Sequence, residues 1–348
     1  MRKFDYTKLA SLSYDSETLD LIAFISEEQG KQELYLRQKP VELEKLVEVA
    51  KVQSTESSNA IEGIRTTNTR LRQLVEEKTA PKNRAEEEIA GYRDALGLIH
   101  ESFDMIPITP NYIMQLHKIL LSHTSLPYGG KFKNGQNYIS GTDTEGNTYA
   151  LFTPLNPWQT PMAMQEACDS LNLCLGNGLV NPLILIPVFI HDFLCIHPFT
   201  DGNGRISRLL TTLLLYRSGY RVGKYISLEA KIAKNKDLYY DALSASQENW
   251  HEGGDDPMPF VKYLLRTIAS AYRDFEDRAE IVSEKVPAKE MVRKAIDQRI
   301  GFFSKADIRE LCPSLSLSAT ESALRELVAE GYIRREGVGR STRYAKKF

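Results

Sequence analysis

The sequence predicts a mainly α-helical protein with one β-hairpin and a small separate module at its C-terminal end. Apolar residues recur at three- and four-residue intervals through most of the chain, as in IMQLHKILL, which is the spacing along one face of a helix. One stretch breaks this pattern, because GKFKNGQNYISGTDTEGNTYALFTPLNP is rich in Gly, Asn and Thr. Residues 283–348 differ from the rest in charge, which indicates a unit of their own.

Nine helices are predicted before residue 283 and three after it. Pro107 and Pro110 bracket one helix start, and Gly219 stands where the helix that begins at residue 204 would end. The predicted ranges are 16–29, 40–62, 83–103, 109–122, 160–175, 182–195, 204–218, 235–250, 257–282, 289–298, 304–311 and 318–330. Residues 137–153 are predicted to form a hairpin on this helical body, since the strand-like pieces NYIS and TYALF flank the turn GTDTEGN.

The C-terminal module resembles a winged helix-turn-helix. Its three predicted helices are followed by YIRRE, a glycine turn and STRYA, which is the pattern of a two-stranded wing. Residues 283–348 hold 14 Lys and Arg against 9 Asp and Glu, a net charge of +5, whereas the rest holds 30 against 37, a net charge of −7. This asymmetry favours an anionic partner such as DNA, but the third helix is acidic, so a role in protein contact or dimerisation stays open.

Composition places the chain among soluble globular proteins. Its 348 residues suffice for two or three domains, and 42% hydrophobic and 26% charged residues are ordinary for that class. The longest apolar run, 183–196, is interrupted by His191 and Asp192, and the N-terminus lacks an apolar signal segment. We therefore expect a cytoplasmic protein without membrane contact. The four cysteines form no CxxC pair, which predicts reduced structural thiols rather than a zinc site.

The stretch HPFTDGNGRISR, residues 197–208, is a polar island between two strongly apolar segments. Gly202 and Gly204 flank Asn203 just before a predicted helix, where glycines let the backbone turn sharply and approach a ligand closely. The free N–H groups and the positive dipole end of that helix favour a bound phosphate. Arg205 and Arg208, three residues apart, share one helix face and favour a polyphosphate.

Two further residues of this stretch carry chemistry. Asp201 is its one acid, and an isolated carboxylate beside phosphates is a suitable ligand for Mg²⁺. His197 is its one group that takes up a proton near neutral pH, so it is the candidate general base. The set predicts nucleotidyl or phosphoryl transfer. The pair His191–Asp192 also occurs in metal phosphohydrolases, but the sequence offers no convincing companion ligands for it.

HPFTDGNGRISR resembles the signature of the Fic family of AMP transferases, H-x-F-x-D/E-G-N-G-R-x-x-R, at every fixed position. The resemblance extends over roughly residues 1–280. It implies an all-α core with a β-hairpin flap, and transfer of AMP from ATP to a Ser, Thr or Tyr hydroxyl of a target protein. The predicted regions are then an N-terminal helical region (1–105), a Fic catalytic core (106–282) and the winged-helix module (283–348).

The resemblance also implies a role for each signature residue. His197 would deprotonate the target hydroxyl, and Asp201 would hold Mg²⁺. The α- and β-phosphates of ATP would lie against Gly202, Asn203 and Gly204, and its β,γ end against Arg205 and Arg208. The flap residues Asn137, Tyr138, Ile139 and Ser140 would pair with an extended target segment. The family's usual Tyr-Arg pair before the flap reads Phe132-Lys133 here.

Part of the family carries an inhibitory helix marked [S/T]-x-x-x-E-[G/N], whose glutamate pairs with the second signature arginine. SSNAIEGI matches it at Ser58, Glu62 and Gly63, and SASQEN matches it at Ser244, Glu248 and Asn249. The position before the core favours Glu62 as the inhibitor.

The predicted function is therefore AMPylation with ATP and Mg²⁺, autoinhibited by Glu62. De-AMPylation, another nucleotidyl transfer, and a nucleic-acid-binding regulator with the core as nucleotide sensor remain alternatives. Besides a target protein, the chain itself as acceptor, DNA and a second copy in a homodimer stay open as partners.

Overall fold

The computed structural model describes residues 2–38, 40–142, 148–283, 287–297, 299, 301–312, 315–337, 339 and 342–347. Helices dominate these ranges, as the sequence predicts. The helices are α1 (Ser16–Gln38), α2 (Pro40–Ile61), α3 (Asn68–Val75), α4 (Arg84–Ser102), α5 (Pro110–Leu120), α6 (Thr160–Gly176), α7 (Pro182–Ile196), α8 (Asn203–Arg217), α9 (Leu228–Lys234), α10 (Lys236–Gln247), α11 (Met258–Ser283), α12 (Ala288–Asp297), α13 (Lys305–Leu311) and α14 (Leu317–Ala329). The strands are β1 (Ile139–Thr142), β2 (Thr148–Phe152), β3 (Phe302–Phe303), β4 (Ile333–Glu336) and β5 (Arg343–Lys346).

Three differences from the predicted helices have physical causes. α3 and α9 were not predicted, because each is too short to show a helical repeat of apolar residues. A capping side chain starts each of them, Thr67 for α3 and Ser227 for α9. α1 continues to Gln38 although Gly30 suggests a stop near residue 29. The second half of α1 packs on α11, where the rings of Tyr35 and Phe275 lie 6.1 Å apart, and this tertiary contact outweighs the cost of an interior glycine.

The centre of the molecule is the pair α7 and α8. All residues of α7 from Leu183 to Ile196 are buried, and α6, α8 and α11 pack against it. α8 is buried from its second turn to Tyr216, and it also contacts α4 and α5. Because the polar island joins these two helices, it lies at the centre of the fold rather than on a peripheral loop.

The predicted hairpin is present as an antiparallel pair of strands. Ile139 lies opposite Phe152, and Thr142 lies opposite Thr148. The predicted turn GTDTEGN covers residues 141–147; Gly141 and Thr142 belong to the first strand, and residues 143–147 lie outside the described residues. Asn137 and Tyr138 precede the first strand.

The C-terminal residues have a hydrophobic core of their own. Its members are mainly Met291, Val292, Ala295, Ile296, Phe303, Ile308, Cys312, Ala323, Leu324, Leu327 and Ile333, whereas the main core runs from Phe4 to Ala279. Three helices and an antiparallel sheet of order β3-β5-β4 surround it. β4 and β5 occupy the predicted wing, and β3 was not predicted. The boundary at residue 283 stays a prediction, because α11 runs up to it without a break.

Two further sequence expectations concern membranes and thiols. Within the described ranges, no helix combines the length and the apolar character needed to cross a bilayer. Cys168, Cys174, Cys195 and Cys312 are all free and buried. Burial raises the pKa of the Cys168 thiol to about 12, so this thiol is unreactive near neutral pH, as expected for a structural cysteine.

Candidate active site

Residues 197–202 of the polar island form a tight loop between α7 and α8, and both ends of this loop are in the left-handed backbone region. His197 caps the C-terminal end of α7 with φ 51° and ψ 61°, and its N–H donates to the Phe193 carbonyl at 2.9 Å. Gly202 precedes α8 with φ 81°. A left-handed conformation is costly for a residue with a side chain, so its presence at His197 marks a position under functional or packing constraint.

The imidazole of His197 is held in the form that a general base requires. Its Nδ1 lies 3.2 Å from the Leu194 carbonyl oxygen, so Nδ1–H donates and Nε2 keeps its lone pair. Burial lowers the pKa of His197 to about 4, against a smaller opposing effect of the Leu194 bond. The ring is therefore neutral at pH 7 and ready to accept a proton.

Asn203 braces the loop with its side chain. The Phe199 N–H donates to Asn203 Oδ1 at 2.9 Å, and Asn203 Nδ2 donates to the Phe199 carbonyl at 2.8 Å. Both ends of the amide are thus engaged by one loop residue. What Asn203 offers to a phosphate is accordingly its backbone N–H at the start of α8 rather than its side chain.

The space above the first turn of α8 already holds a carboxylate. A Cβ placed on Gly204 would lie 2.3 Å from Glu62 Oε1 and 3.3 Å from Arg208 Nη1. The absence of a side chain at Gly204 therefore lets an anion approach the helix N-terminus, as the sequence predicts for a phosphate. In this structure that anion is the side chain of Glu62.

Glu62, Ser58 and Arg208 form one cluster between the C-terminal end of α2 and α8, in which Ser58 and Arg208 are buried and the Glu62 side chain is 33% exposed. Arg208 Nη2 donates to Glu62 Oε1 at 2.8 Å and to the Ser58 carbonyl at 2.9 Å, and Arg208 Nε donates to Ser58 Oγ at 2.8 Å. α2 ends at Ile61, and Gly63, with φ 81°, follows Glu62 in the turn after the helix. The predicted trio Ser58, Glu62 and Gly63 is therefore assembled at the second signature arginine.

The second sequence match occupies a different environment. Ser244 lies on α10 and Glu248 directly after its last residue, and both are exposed. Among the described residues, the hydrogen-bond and ion-pair partners of Arg208 are Ser58 and Glu62. The geometry thus agrees with Glu62 rather than Glu248 as the residue opposite Arg208.

Arg205 has different surroundings from those expected for a phosphate ligand. Its side chain is 1% exposed, and Nη1 donates to Glu88 Oε2 on α4 at 2.7 Å. Nη2 lies 3.5 Å from Asp201 Oδ2, and Nε is buried with no partner among the described residues. Arg205 is thus held between two carboxylates. Glu88 was missed because it lies 117 positions away in a run of three glutamates that resembles an exposed helix face.

Asp201 fits the Mg²⁺ role predicted for it. Its side chain is 41% exposed, Oδ1 accepts from the Gly202 N–H at 2.6 Å, and Oδ2 faces Arg205 at 3.5 Å. Mg²⁺ is commonly held by one or two carboxylates together with substrate phosphates and water, so one accessible carboxylate beside a phosphate site is a suitable donor set.

A second group with metal-ligand spacing serves another purpose. His191, Asp192 and Asp255 come together, so His191–Asp192 has a companion that the sequence did not reveal. However, Arg2 binds both carboxylates, and Trp250 Nε1 donates to Asp192 at 2.7 Å. The cluster is a buried ion-paired anchor for the N-terminal segment.

The segment before the hairpin is bonded to the loop. The Lys133 N–H donates to the Pro198 carbonyl at 2.8 Å, and its Nζ donates to the Ile196 carbonyl at 3.0 Å and to Asn137 Oδ1 at 2.9 Å. Asn137 Nδ2 in turn donates to the Phe199 carbonyl at 3.0 Å. Burial lowers the pKa of Lys133 to about 8.

The side chains of Lys133 and Asn137 thus both bind the loop. The side chain of Asn137 is used inside the protein, whereas the predicted pairing of residues 137–140 with a target segment uses main-chain groups and stays a prediction. Tyr138 is 61% exposed and stays available at the surface.

Comparison with known proteins agrees with this geometry. Residues 107–215 match the model of the family described as Fic/DOC family. This chain contains a Fic domain. The protein adenylyltransferase Fic of Drosophila willistoni is 30% identical over 211 residues, which is 60% of this chain and 38% of that protein. The corresponding protein of Drosophila melanogaster gives the same identity and coverage. The chain thus spans less than half the length of these relatives.

Solved structures share the fold over a larger part of the chain. A Fic family protein from Desulfovibrio desulfuricans has a TM-score of 0.60 at 20% identity and covers 97% of both chains. A Fic domain containing signaling protein from Bacteroides thetaiotaomicron has a TM-score of 0.61 at 24% identity, over 78% of this chain and all of that one. At these identities the likeness shows the fold alone.

The brace formed by Asn203 should stabilise the whole Fic domain. Asn203→Ala leaves the buried Phe199 N–H without its acceptor, so we expect a loss of about 1–3 kcal/mol in the free energy of unfolding, measured by urea denaturation. Asn177→Ala is the matched control, since exposed Asn177 donates to the Leu173 carbonyl at 3.1 Å, and we expect a change within about 0.5 kcal/mol. Equal effects of the two substitutions would show that the brace is dispensable.

Proposed function

We propose that the chain transfers AMP from ATP to a hydroxyl group of a protein. The observation that carries this proposal is the juxtaposition of a neutral imidazole, His197, with an open helix N-terminus that already accommodates the carboxylate of Glu62. The printed name of the relatives, protein adenylyltransferase, supports AMP as the group and protein as the acceptor.

The transfer step uses groups of the loop. His197 Nε2 takes the proton from the acceptor hydroxyl, the oxygen attacks the α-phosphorus of ATP, and the bond from that phosphorus to the β-phosphate oxygen breaks. Pyrophosphate leaves, and AMP remains on the acceptor. The N–H groups of Asn203 and Gly204 face the negative charge that develops on the phosphate oxygens. Mg²⁺ held by Asp201 would neutralise phosphate charge when it is bound.

We further propose that Glu62 restrains this activity. Its carboxylate lies over Gly204 and pairs with Arg208, where a triphosphate would place its terminal charge. The carboxylate both neutralises Arg208 and repels a phosphate, so ATP would be excluded or would bind with its α-phosphate out of line with His197. Ser58 lies on α2 and Glu62 directly follows its last residue, so displacement of this helix would release both contacts.

The C-terminal module offers a candidate DNA contact at its wing. Two acids at α14 are paired with lysines: Glu321 on the helix with Lys305, and Glu330 directly after it with Lys289. Exposed Arg335 lies on β4, and Arg343 on β5 lies 4.1 Å from the ring of Phe302, which is 46% exposed. Arginine beside an accessible aromatic ring suits a nucleic-acid backbone, so we place the contact at the wing rather than at the third helix.

Removal of the base tests the transfer step. His197→Ala should lower the rate of AMP transfer by about 10²–10⁴-fold and leave ATP binding, measured by calorimetry, largely intact. The wild-type rate should fall as the pH decreases through about 4, because protonation of the ring below its pKa removes the base. His123→Ala, which alters a partly exposed histidine paired with Asp94, is the control. A pH–rate profile with its midpoint near 6.5, or full activity of His197→Ala, would contradict the assignment of His197 as the base.

Removal of the inhibitor tests the restraint. Glu62→Gly should raise AMP transfer onto the chain or an added acceptor by about 10²-fold, because it frees Arg208 and restores in-line binding. Glu248→Gly is the matched control, since it removes an exposed glutamate from the same sequence pattern. Activation by Glu248→Gly instead would show that Glu248 is the inhibitory residue. If neither substitution activates the protein, the proposal of restraint by this pairing is wrong.

The wing is tested with a mixed-sequence DNA duplex and the full chain. Affinity should fall steeply as salt is raised, and Arg335→Ala should weaken binding and reduce the slope of log affinity against log salt by about 1. Glu321→Ala on α14 is the control and should not weaken binding. Absence of binding at low salt, or binding that does not respond to Arg335→Ala, would leave protein contact as the role of the module.

A further inference from the structure

His117 on α5 lies outside the signature and is fully buried, yet both of its ring nitrogens are engaged by the site. The Gly130 N–H donates to Nδ1 at 3.0 Å, so the ring proton is on Nε2. Nε2–H donates to the carbonyl oxygen of Asp201 at 3.0 Å. The ring therefore links the backbone at Gly130 to the backbone at the predicted Mg²⁺ ligand, in a single tautomer.

Two further contacts press the same ring against the loop. His117 stacks on Phe199 with ring centroids 3.9 Å apart and an interplanar angle of 11°. A Cβ on Gly202 would lie 3.0 Å from Leu120 Cδ2 and 3.5 Å from His117 Nε2, so α5 lies directly under the turn that starts α8. His117 thus contacts the loop at Phe199 and Asp201 and lies close to Gly202.

We propose that His117 is a positioning residue for AMP transfer, acting through the backbone of Asp201. Its hydrogen bond fixes the peptide group between Asp201 and Gly202. That peptide sets the direction of the Asp201 carboxylate and the left-handed turn at Gly202, which aims the first N–H groups of α8 at the phosphates. The catalytic part of this inference rests on the proposed function, whereas the part about loop geometry does not.

The role goes beyond that of a core histidine, and His100 shows the difference. His100 is also buried, and its ring packs on Tyr216 at 5.6 Å and bonds the Tyr216 hydroxyl at 3.3 Å. Its Nδ1 has no partner among the described residues, and no contact joins it to the loop. A residue with a purely packing role would behave like His100, so this histidine is the internal comparison.

Three substitutions separate the contacts of His117. His117→Phe keeps a ring on Phe199 and removes both hydrogen bonds. His117→Gln places an amide N–H near the position of Nε2 and keeps the donor to Asp201, whereas His117→Asn places a carbonyl near Nδ1 and keeps the acceptor for Gly130. If the bond to Asp201 matters, His117→Gln should retain most of the native behaviour, and the other two should not.

The readouts include two that need no turnover. In the Glu62→Gly background, we would measure Mn²⁺ affinity in the presence of ATP by electron paramagnetic resonance, and amide hydrogen exchange of the peptide spanning residues 199–205. We expect His117→Phe to weaken Mn²⁺ binding by about 10-fold or more and to speed exchange in this peptide. The turnover number should fall about 10–100-fold, with little change in the KM for ATP.

The outcomes are distinguishable. His100→Phe, made in the same background, should lower thermal stability and leave Mn²⁺ affinity and loop exchange unchanged. Native Mn²⁺ affinity, loop exchange and turnover in a folded His117→Phe would overturn the proposal. Equal losses in the Gln and Asn variants would overturn the route through Asp201. If no variant transfers AMP while His117→Phe still alters Mn²⁺ binding and exchange, the proposed function fails and the positioning of the loop stands.

Discussion

A polar loop buried between two apolar helices must find a partner for each of its backbone groups, and this constraint organises the whole site. Four carbonyls of the segment 196–201 accept hydrogen bonds from elsewhere: those of Ile196, Pro198, Phe199 and Asp201. The donors come from α5 and from the segment before the hairpin. Because an unpaired buried carbonyl costs free energy comparable to a lost hydrogen bond, these contacts bind the neighbouring elements to the loop.

The same features that attract a triphosphate also hold the proposed inhibitor. An open helix N-terminus and a buried guanidinium favour any anion of the right reach, and the carboxylate of Glu62 meets both. The proposed inhibition would need no separate pocket, because the end of α2 supplies a carboxylate to the proposed phosphate site. Relief of the proposed inhibition would then depend on how firmly α2 is held. The Ser54 hydroxyl donates to Ser227 Oγ at 3.0 Å, so α2 has a buried polar contact to the start of α9 as well.

Charge balance explains where the geometry departs from expectation. Arg205 looks in the sequence like a partner of Arg208 at the phosphate site, yet Glu88 neutralises it in the interior. A fully buried guanidinium without a carboxylate would be strongly unfavourable, so an acid from another helix accompanies it. Lys133 is stabilised by neutral oxygens instead of a carboxylate. Burial lowers its pKa to about 8, and its Nζ donates to the side-chain oxygen of Asn137 and to the Ile196 carbonyl.

The sequence by itself determined the helical class, most helix positions, the hairpin, the loop with its signature, and the trio Ser58, Glu62 and Gly63. These follow from periodicity and short motifs, which depend on neighbours a few positions apart. Only the tertiary structure decided that Glu62 rather than Glu248 meets Arg208, that Glu88 neutralises Arg205, and that His117 and Lys133 hold the loop. The two residues of each pair are 63 to 146 positions apart in the sequence. Periodicity and short motifs in one sequence carry no signal for such contacts, because the packing of whole helices brings these residues together.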